Sequence, residues 1–223
     1  MKPSFRINQI PARPTAGDIN RFADIPTPNI SDALGKLFCA AVMLKPMHRQ
    51  GKMIGPAFTV KLPPGDNLLA FKAIQSAEPG DVLVIDAGGV LEQAIVGEIM
   101  TAWAAQQGLA GMVIYGAIRD IEIVSQGDFP VYACGYTHRG PYRNGPGELN
   151  VSVSLGGMVV EPGDLMVGDA NGVIAIPRNE LHQVADAAIA IQQREEAMLA
   201  QIVDGSYDTG WIDIALRQSG YAI

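Results

Sequence analysis

The sequence predicts an α/β fold with a mixed sheet at its core and helices outside. Three observations carry that reading. Continuous apolar runs bounded by charge and glycine, "DVLVIDAGG" and "AGMVIYGAIRD", have the form of buried strands. Between them lie stretches whose apolar residues recur at helical spacing. After residue 150 the pattern changes to short β segments separated by the turns "LGG", "EPGD" and "DANG".

The elements follow in order. Residues 1–20, with scattered prolines and polar residues, read as an extended arm. "TPNISDALGKL" has a helix-start signature, with Asn29 or Ser31 available as cap. "MIGPAFTVKLPPGDN" is a strand around Phe58–Val60 that ends in a Pro-Pro-Gly loop. "NLLAFKAIQSAEPGD" is a helix stopped by Pro79-Gly80, and "DVLVIDAGG" is the buried strand after it. "VLEQAIVGEIMTAWAAQQGL" reads as one long amphipathic helix ending near Gly108, followed by the strand "AGMVIYGAIRD". "FPVYACG" is a short strand. "THRGPYRNGPGELN" is a polar loop long enough to carry function. The β-rich segment comes next, then a long helix over 179–203 and a short tail. One domain accounts for residues 1–223: an arm over 1–20, a core over 30–177, and a C-terminal helix and tail over 179–223.

Composition narrows the function. The net charge is −7 and no lysine/arginine-rich run occurs. A nucleic-acid surface needs a basic footprint, so direct RNA or DNA binding is disfavoured. No apolar run reaches the ~18 residues that span a bilayer, and the N-terminus has no apolar signal region. The expectation is a cytoplasmic protein without a membrane partner. Cys39 and Cys134 have no CxxC spacing and read as two buried thiols.

Two clusters have the residue types of a site. Gly88-Gly89 lies between a buried strand and the expected helix start. Free amides and the helix dipole could hold a carboxylate or phosphate there; equally, a tight turn could need glycine for its dihedrals alone. Arg119-Asp120 lies past the end of the next strand. If the two strands are parallel neighbours, both clusters share one edge, where open α/β sheets collect ligands. Arginine grips carboxylates in bidentate fashion, and aspartate suits a hard divalent cation whose shell is completed by water and substrate oxygens. The competing reading of Arg119-Asp120 is a solvated surface pair. Glu98 falls about two and a half turns into the expected helix. His48 and His182 read as surface residues. His138 stands beside Arg139 and Arg143, which could border an acidic substrate, or simply belong to a structured loop. Trp103 and the methionines read as core, and Glu195-Glu196 as a solvated helix face.

From about Ile30 to Pro177 the chain resembles the class II pyruvate aldolases of the 4-hydroxy-4-methyl-2-oxoglutarate aldolase type. Their superfamily includes the regulator of ribonuclease E activity A. "GPAFTVKLPPGDN", "PGDVLVIDAGG", "AIVGE", "GLAGMVIYGAIRD", "FPVYACG" and "VEPGDLMVGDANGVIAIP" carry the likeness. The family's aldolase signature is an acidic residue, twenty intervening residues and Arg-Asp, matched here by Glu98 and Arg119-Asp120.

The resemblance implies an α-β-β-α sandwich of the swivelling-domain kind, assembled as a homotrimer or homohexamer. It implies that Asp120 ligates Mg2+ or Mn2+ within a largely aqueous shell, and that Glu98 holds a water of that shell. Arg119 would bind the pyruvyl group and steady the enolate oxygen. Amides of Gly88, Gly89, Val90 and Leu91 would grip the pyruvyl carboxylate. Glu195 or Glu196 would reach the metal site from a neighbouring subunit. The implied activity is cleavage of a 4-hydroxy-2-oxo di- or tricarboxylic acid to pyruvate and a second 2-oxo acid, with oxaloacetate decarboxylation from the same enolate chemistry. The alternative is a non-catalytic oligomer that binds protein partners, as the ribonuclease regulator does. A methyltransferase is excluded, since there is no glycine-rich cofactor loop followed by an acidic ribose contact.

Overall fold

A computed structural model describes residues 6–38, 40 and 42–222. In chain order the elements are α1 (Ala16–Asn20), α2 (Thr27–Ala33), β1 (Lys45–Pro46), β2 (Met53–Lys61), α3 (Leu68–Ser76), β3 (Val82–Asp86), β4 (Ala94–Val96), α4 (Glu98–Gln106) and β5 (Gly111–Ile118). There follow α5 (Ile121–Val124), β6 (Val131–Tyr136), β7 (Glu148–Leu149), β8 (Val153–Leu155), β9 (Met158–Val160), β10 (Leu165–Asp169), β11 (Gly172–Ile176), α6 (Leu181–Asp204) and α7 (Gly210–Gln218).

The main sheet runs β1-β6-β5-β3-β2-β10-β11, with β4 also paired to β5 and β7 to β2. Its centre, β2, β3, β5 and β6, is parallel. Its flanks, β1, β10 and β11, are antiparallel. The mixed sheet is therefore the expected one. The central strands are nearly continuous apolar runs because both faces are covered. On one face Val60, Leu83, Ile85, Ile114 and Ile118 pack with Ala70 and Ile74 of α3 and Met100 and Ala104 of α4. On the other, Val82, Val84 and Val113 meet the β8–β9 hairpin through Val153, Leu155 and Met158. A third cluster joins β10 and β11 to α2 and α6 through Ile30, Val167, Ile174, Val184 and Ala188.

The register of the parallel strands positions the site. Val82 to Asp86 pair with Gly111 to Tyr115, so β3 and β5 end at the same sheet edge, as the shared-mouth reading requires. Residues 88–91 and 119–120 follow directly.

Several expected elements differ. The arm contains α1, started by a capping box in which Thr15 and Asp18 exchange hydrogen bonds. In α2, Asn29 and Ser31 lie inside the helix. Its start has Pro26 as N-cap residue, and the Asp169 carboxylate accepts the N–H and hydroxyl of Thr27. The tail forms α7, which buries none of its residues. The long helix expected over residues 90–109 is broken. Ala94, Ile95 and Val96 are consecutively buried and pair with β5 as β4. Burial of three successive residues fits a strand enclosed on both sides, while a helix would turn one of them outward.

Candidate active site

Glu98 is consequently the first residue of α4, not a mid-helix residue. Its neighbour Gly97 explains the local geometry. Gly97 has an extended φ of −145°, open to any residue, so space rather than dihedral strain demands glycine. A Cβ there would lie 2.5 Å from Asp120 Oδ2, 2.8 Å from Arg119 Cγ and 2.9 Å from Arg119 Nε. The bare backbone lets both side chains fold over the start of α4. Asp120 Oδ2 accepts the Glu98 N–H at 3.0 Å. This places a carboxylate where the helix dipole and a free N–H favour one. Arg119 Nε lies 3.4 Å from the same oxygen.

The main chain fixes this pair. The Arg119 N–H donates to Val96 O at 2.9 Å, extending the β4–β5 pairing. Asp120 then adopts the left-handed conformation, φ 58° and ψ 37°. Aspartate tolerates this region better than most residues, yet such strain persists only where the surroundings impose it. Both side chains keep over a third of their surface exposed, 38% for Arg119 and 37% for Asp120. A pair this open adds little to stability, and both groups remain available to a ligand.

Two cavities flank Arg119. One, of about 40 Å³, is lined by Asn67, Phe71, Gly97, Met100, Arg119 and Arg143, among others. The other is an open depression of about 620 Å³ beside Asp120, Glu122, Tyr136 and His138. Asn67 is 2% exposed. Its Nδ2 donates to Ile95 O at 2.9 Å, and its Oδ1 has no hydrogen-bond partner among the described residues. The Ile95 carbonyl requires the donor end, so Oδ1 stays an acceptor awaiting a hydroxyl, N–H or water. Arg143 arrives from the polar loop and lies over the Phe71 ring, 4.9 Å from its centroid. The small cavity thus brings Arg119 and Arg143, two residues of the kind that grips acid groups, to one lining with Asn67.

The glycine turn differs from its expected form. Gly88 and Gly89 have φ of +73° and +71°, so their backbone does require glycine. The Gly88 N–H donates to Asp86 Oδ1 and the Gly89 N–H to Tyr115 O, both at 3.0 Å. Two of the four expected anion donors are thus already engaged. The N–H groups of Val90 and Leu91 make no hydrogen bond among the described residues. No helix begins at this turn, so no helix dipole acts there. Neither cavity beside Arg119 is lined by residues 88–91, although Leu91 packs beside Gly135 on β6.

The other candidates lie elsewhere. Glu195 accepts a hydrogen bond from Asn29 Nδ2, and Glu196 one from Gln192; neither lines a cavity with Asp120 in this chain. His48 is half-buried, with its ring engaged rather than free. Its Nδ1 lies 3.1 Å from the Val131 N–H and 3.0 Å from Val131 O, and its ring meets Tyr132 edge-on. His182 is exposed, as expected, between Arg21 and Asp18. Arg139 contributes its carbonyl, which accepts the Ala94 N–H. Cys134 is half-buried, and burial pushes its thiol up; Cys39 lies outside the described residues.

Asp120 offers one carboxylate, with Oδ2 engaged and Glu98 exposed beside it. No cluster of three His, Cys, Asp or Glu side chains occurs among the described residues. This donor set suits a hard divalent cation that keeps most of its water, as Mg2+ does, and not a caged ion.

A family profile described as RraA-like, aldolase/RraA, matches residues 27–175. The chain belongs to the RraA-like family. It is 42% identical over 186 residues, 83% of its own length and 89% of the relative's, to a Halalkalibacterium halodurans protein provisionally named 4-hydroxy-4-methyl-2-oxoglutarate aldolase. Among solved structures, an uncharacterized protein from Pseudomonas syringae pv. tomato superposes with a TM-score of 0.77 at 26% identity, covering 87% of this chain and 96% of that one. The RNA-processing inhibitor RraA from Thermus thermophilus superposes with a TM-score of 0.64 at 27% identity, over 69% and 93%. These RraA-like neighbours bear out the fold expected from the resemblance.

Proposed function

We propose that this RraA-like protein is a class II aldolase. It would use Mg2+ or Mn2+ to cleave 4-hydroxy-2-oxo di- or tricarboxylic acids, such as 4-hydroxy-4-methyl-2-oxoglutarate or 4-carboxy-4-hydroxy-2-oxoadipate, to pyruvate and a second 2-oxo acid. The observation that carries the reading is the cradle over Gly97, where Arg119 and Asp120 converge beside a cavity that also presents Asn67 and Arg143. The provisional aldolase name of the Halalkalibacterium relative supports it.

Asp120 would hold the ion directly and Glu98 would anchor its water. When bound, the ion polarises the 2-oxo group as a Lewis acid. The chain's own groups do the rest. Arg119 binds the pyruvyl end and stabilises negative charge as it develops on the C2 oxygen. The free N–H groups of Val90 and Leu91 are the remaining donors for the pyruvyl carboxylate. Arg143, in the same cavity lining as Arg119, takes the second acid group. In the cleavage the C4 hydroxyl loses its proton and the C3–C4 bond breaks. Its electron pair forms the pyruvate enolate, and a proton added at C3 completes pyruvate. Glu98, exposed at the head of α4, would relay that proton through water. Oxaloacetate would lose carbon dioxide through the same enolate.

The reading also proposes a homotrimer or homohexamer in the cytoplasm. Leu199, Ile202, Val203, Trp211 and Ile214 leave an apolar surface exposed on the C-terminal helices, which supports assembly. Glu195 or Glu196 would then approach a neighbour's Asp120. Among the described residues no helix is long and apolar enough to cross a membrane.

The test is pyruvate release from hydroxy-oxo diacids and oxaloacetate with Mg2+ or Mn2+, with and without chelator. Release that disappears with chelator and with Arg119→Ala supports the aldolase. The similarity to the Thermus RNA-processing inhibitor favours one other reading, a non-catalytic protein-binding oligomer. It predicts no release under any condition and a protein partner in pull-downs.

A further inference from the structure

We propose that Asp66 is a positioning residue for the proposed aldolase reaction: its buried carboxylate sets Arg143, and through Arg143 the affinity for the substrate's second acid group. This rests on the aldolase reading above.

Asp66 is 4% exposed and no cation pairs with it among the described residues. It is satisfied instead by three backbone donors from two segments. Oδ1 accepts the Leu68 N–H at 2.9 Å, at the start of α3. Oδ2 accepts the N–H groups of Asn144 at 2.6 Å and Gly145 at 3.0 Å. The residues around Asp66 complete the clamp. The Tyr142 N–H donates to Gly65 O at 2.7 Å, and the Asn67 N–H donates to Tyr142 O at 3.0 Å.

Arg143 is therefore gripped on both sides, by backbone bonds at residue 142 and by the Asp66 carboxylate at residues 144 and 145. Its guanidinium lies over Phe71, on the helix whose first turn Asp66 ties down. The neighbouring Asn67 reaches the same cavity. One carboxylate thus fixes the spacing between α3, which carries Asn67 and Phe71, and the loop that carries Arg143. The Arg119 main chain is held from another direction, by its N–H bond to Val96 O of β4. Asp66 should accordingly govern recognition at the distal acid group and leave the pyruvyl end unaffected.

The experiment separates those two ends. Two reactions are followed with Mg2+: cleavage of a hydroxy-oxo diacid, and exchange of the pyruvate methyl protons with deuterated water, which engages only the pyruvyl end. In Asp66→Asn one acceptor oxygen becomes a donor facing N–H groups. The KM for the diacid is expected to rise about tenfold or more, with kcat for cleavage and the rate of pyruvate exchange nearly unchanged. In an Arg143→Ala background the same substitution should have almost no further effect, because the two act as one unit. Asp66→Glu keeps the charge and should show a smaller rise in the same direction; it serves if Asp66→Asn does not fold. Equal losses in cleavage and exchange, or additive losses with Arg143→Ala, would overturn the positioning role while leaving the aldolase intact. A wild-type protein that performs neither reaction would overturn the aldolase reading and this inference with it.

Discussion

The Asp120 carboxylate accepts the backbone N–H of Glu98 at 3.0 Å, a contact between the end of one strand and the head of the preceding helix. It exists because Gly97, between β4 and α4, leaves no Cβ in the way. Gly97→Ala is therefore expected to push Asp120 and Arg119 outward together. An extended φ accepts alanine, so the fold should survive. A misplacement of about 1 Å at reacting groups can cost ~10²-fold. Pyruvate release should fall by about that factor while the melting temperature shifts little. Full activity in Gly97→Ala would show that the Arg119–Asp120 cradle is not the reacting site.

Arg119 and Asp120 should fail differently. Arg119→Lys keeps the charge but loses the planar fork, and kcat should fall about 10²-fold or more with metal affinity largely retained. Asp120→Ala should abolish the response to added Mg2+ or Mn2+, measured by calorimetric titration without substrate. Because Asp120 sits at φ 58°, Asp120→Gly also removes backbone strain. It should lose the metal response while melting no lower than Asp120→Ala.

Much of this arrangement can be read in the sequence, for identifiable physical reasons. β3 and β5 are covered on both faces, so "VLVID" and "GMVIY" are unbroken apolar runs. Their parallel register then carries residues 88–91 and Arg119-Asp120 to one edge. β4 is not legible, because three buried residues embedded in a longer apolar stretch match helical spacing as well as strand. With it goes the position of Glu98, and the role of Gly97, which is steric and appears only once β4 and β5 are paired. Asn67 also escapes detection. Its only local sign is its place after "PPGD" at a helix start, and its unpaired Oδ1 is a property of packing. Arg143 is visible as a cation in a long polar loop, but the clamp that brings it to Arg119 is formed by residues nearly eighty positions earlier.

The Lys52 ammonium closes the turn after α1 by donating to the carbonyls of Phe22, Ala23 and Ile25 at 2.7, 2.7 and 2.6 Å. Burial holds its pKa below the ordinary lysine value, partly offset by Asp169 and Asp24. Lys52→Met keeps the stem and removes all three donors, leaving the Phe22 and Ile25 carbonyls short of partners. Stability should fall by about 1–2 kcal/mol, read as a lower denaturant midpoint at unchanged slope. Since neither Lys52 nor residues 22–25 line a cavity beside Arg119, pyruvate release by the folded variant should be unaffected.

Two carboxylates near the ends of β10 should titrate with opposite effects on stability. At Asp169, burial works against the charged form, but donors from Thr27 and Asn171 outweigh it and leave the pKa below the ordinary value of 3.8. A depressed pKa contributes stability that is complete above the ordinary value and is lost as pH falls through the folded one. At Asp164, burial dominates over the N–H groups of Glu161 and Arg178, and the pKa is raised. Its contribution is present below the ordinary value and is lost as pH rises through the folded one. Melting temperatures taken between about pH 3 and pH 6 should therefore respond in opposite ways. Asp169→Asn should rise less steeply with pH than wild type, since the contribution gained on ionisation is gone. Asp164→Asn should rise more steeply, since the opposing contribution is gone. Each variant also loses stability at every pH, because an amide cannot accept at both positions where the carboxylate does. The slope, not the offset, is the diagnostic quantity. Parallel curves for wild type and both variants would mean that neither carboxylate changes its proton affinity on folding.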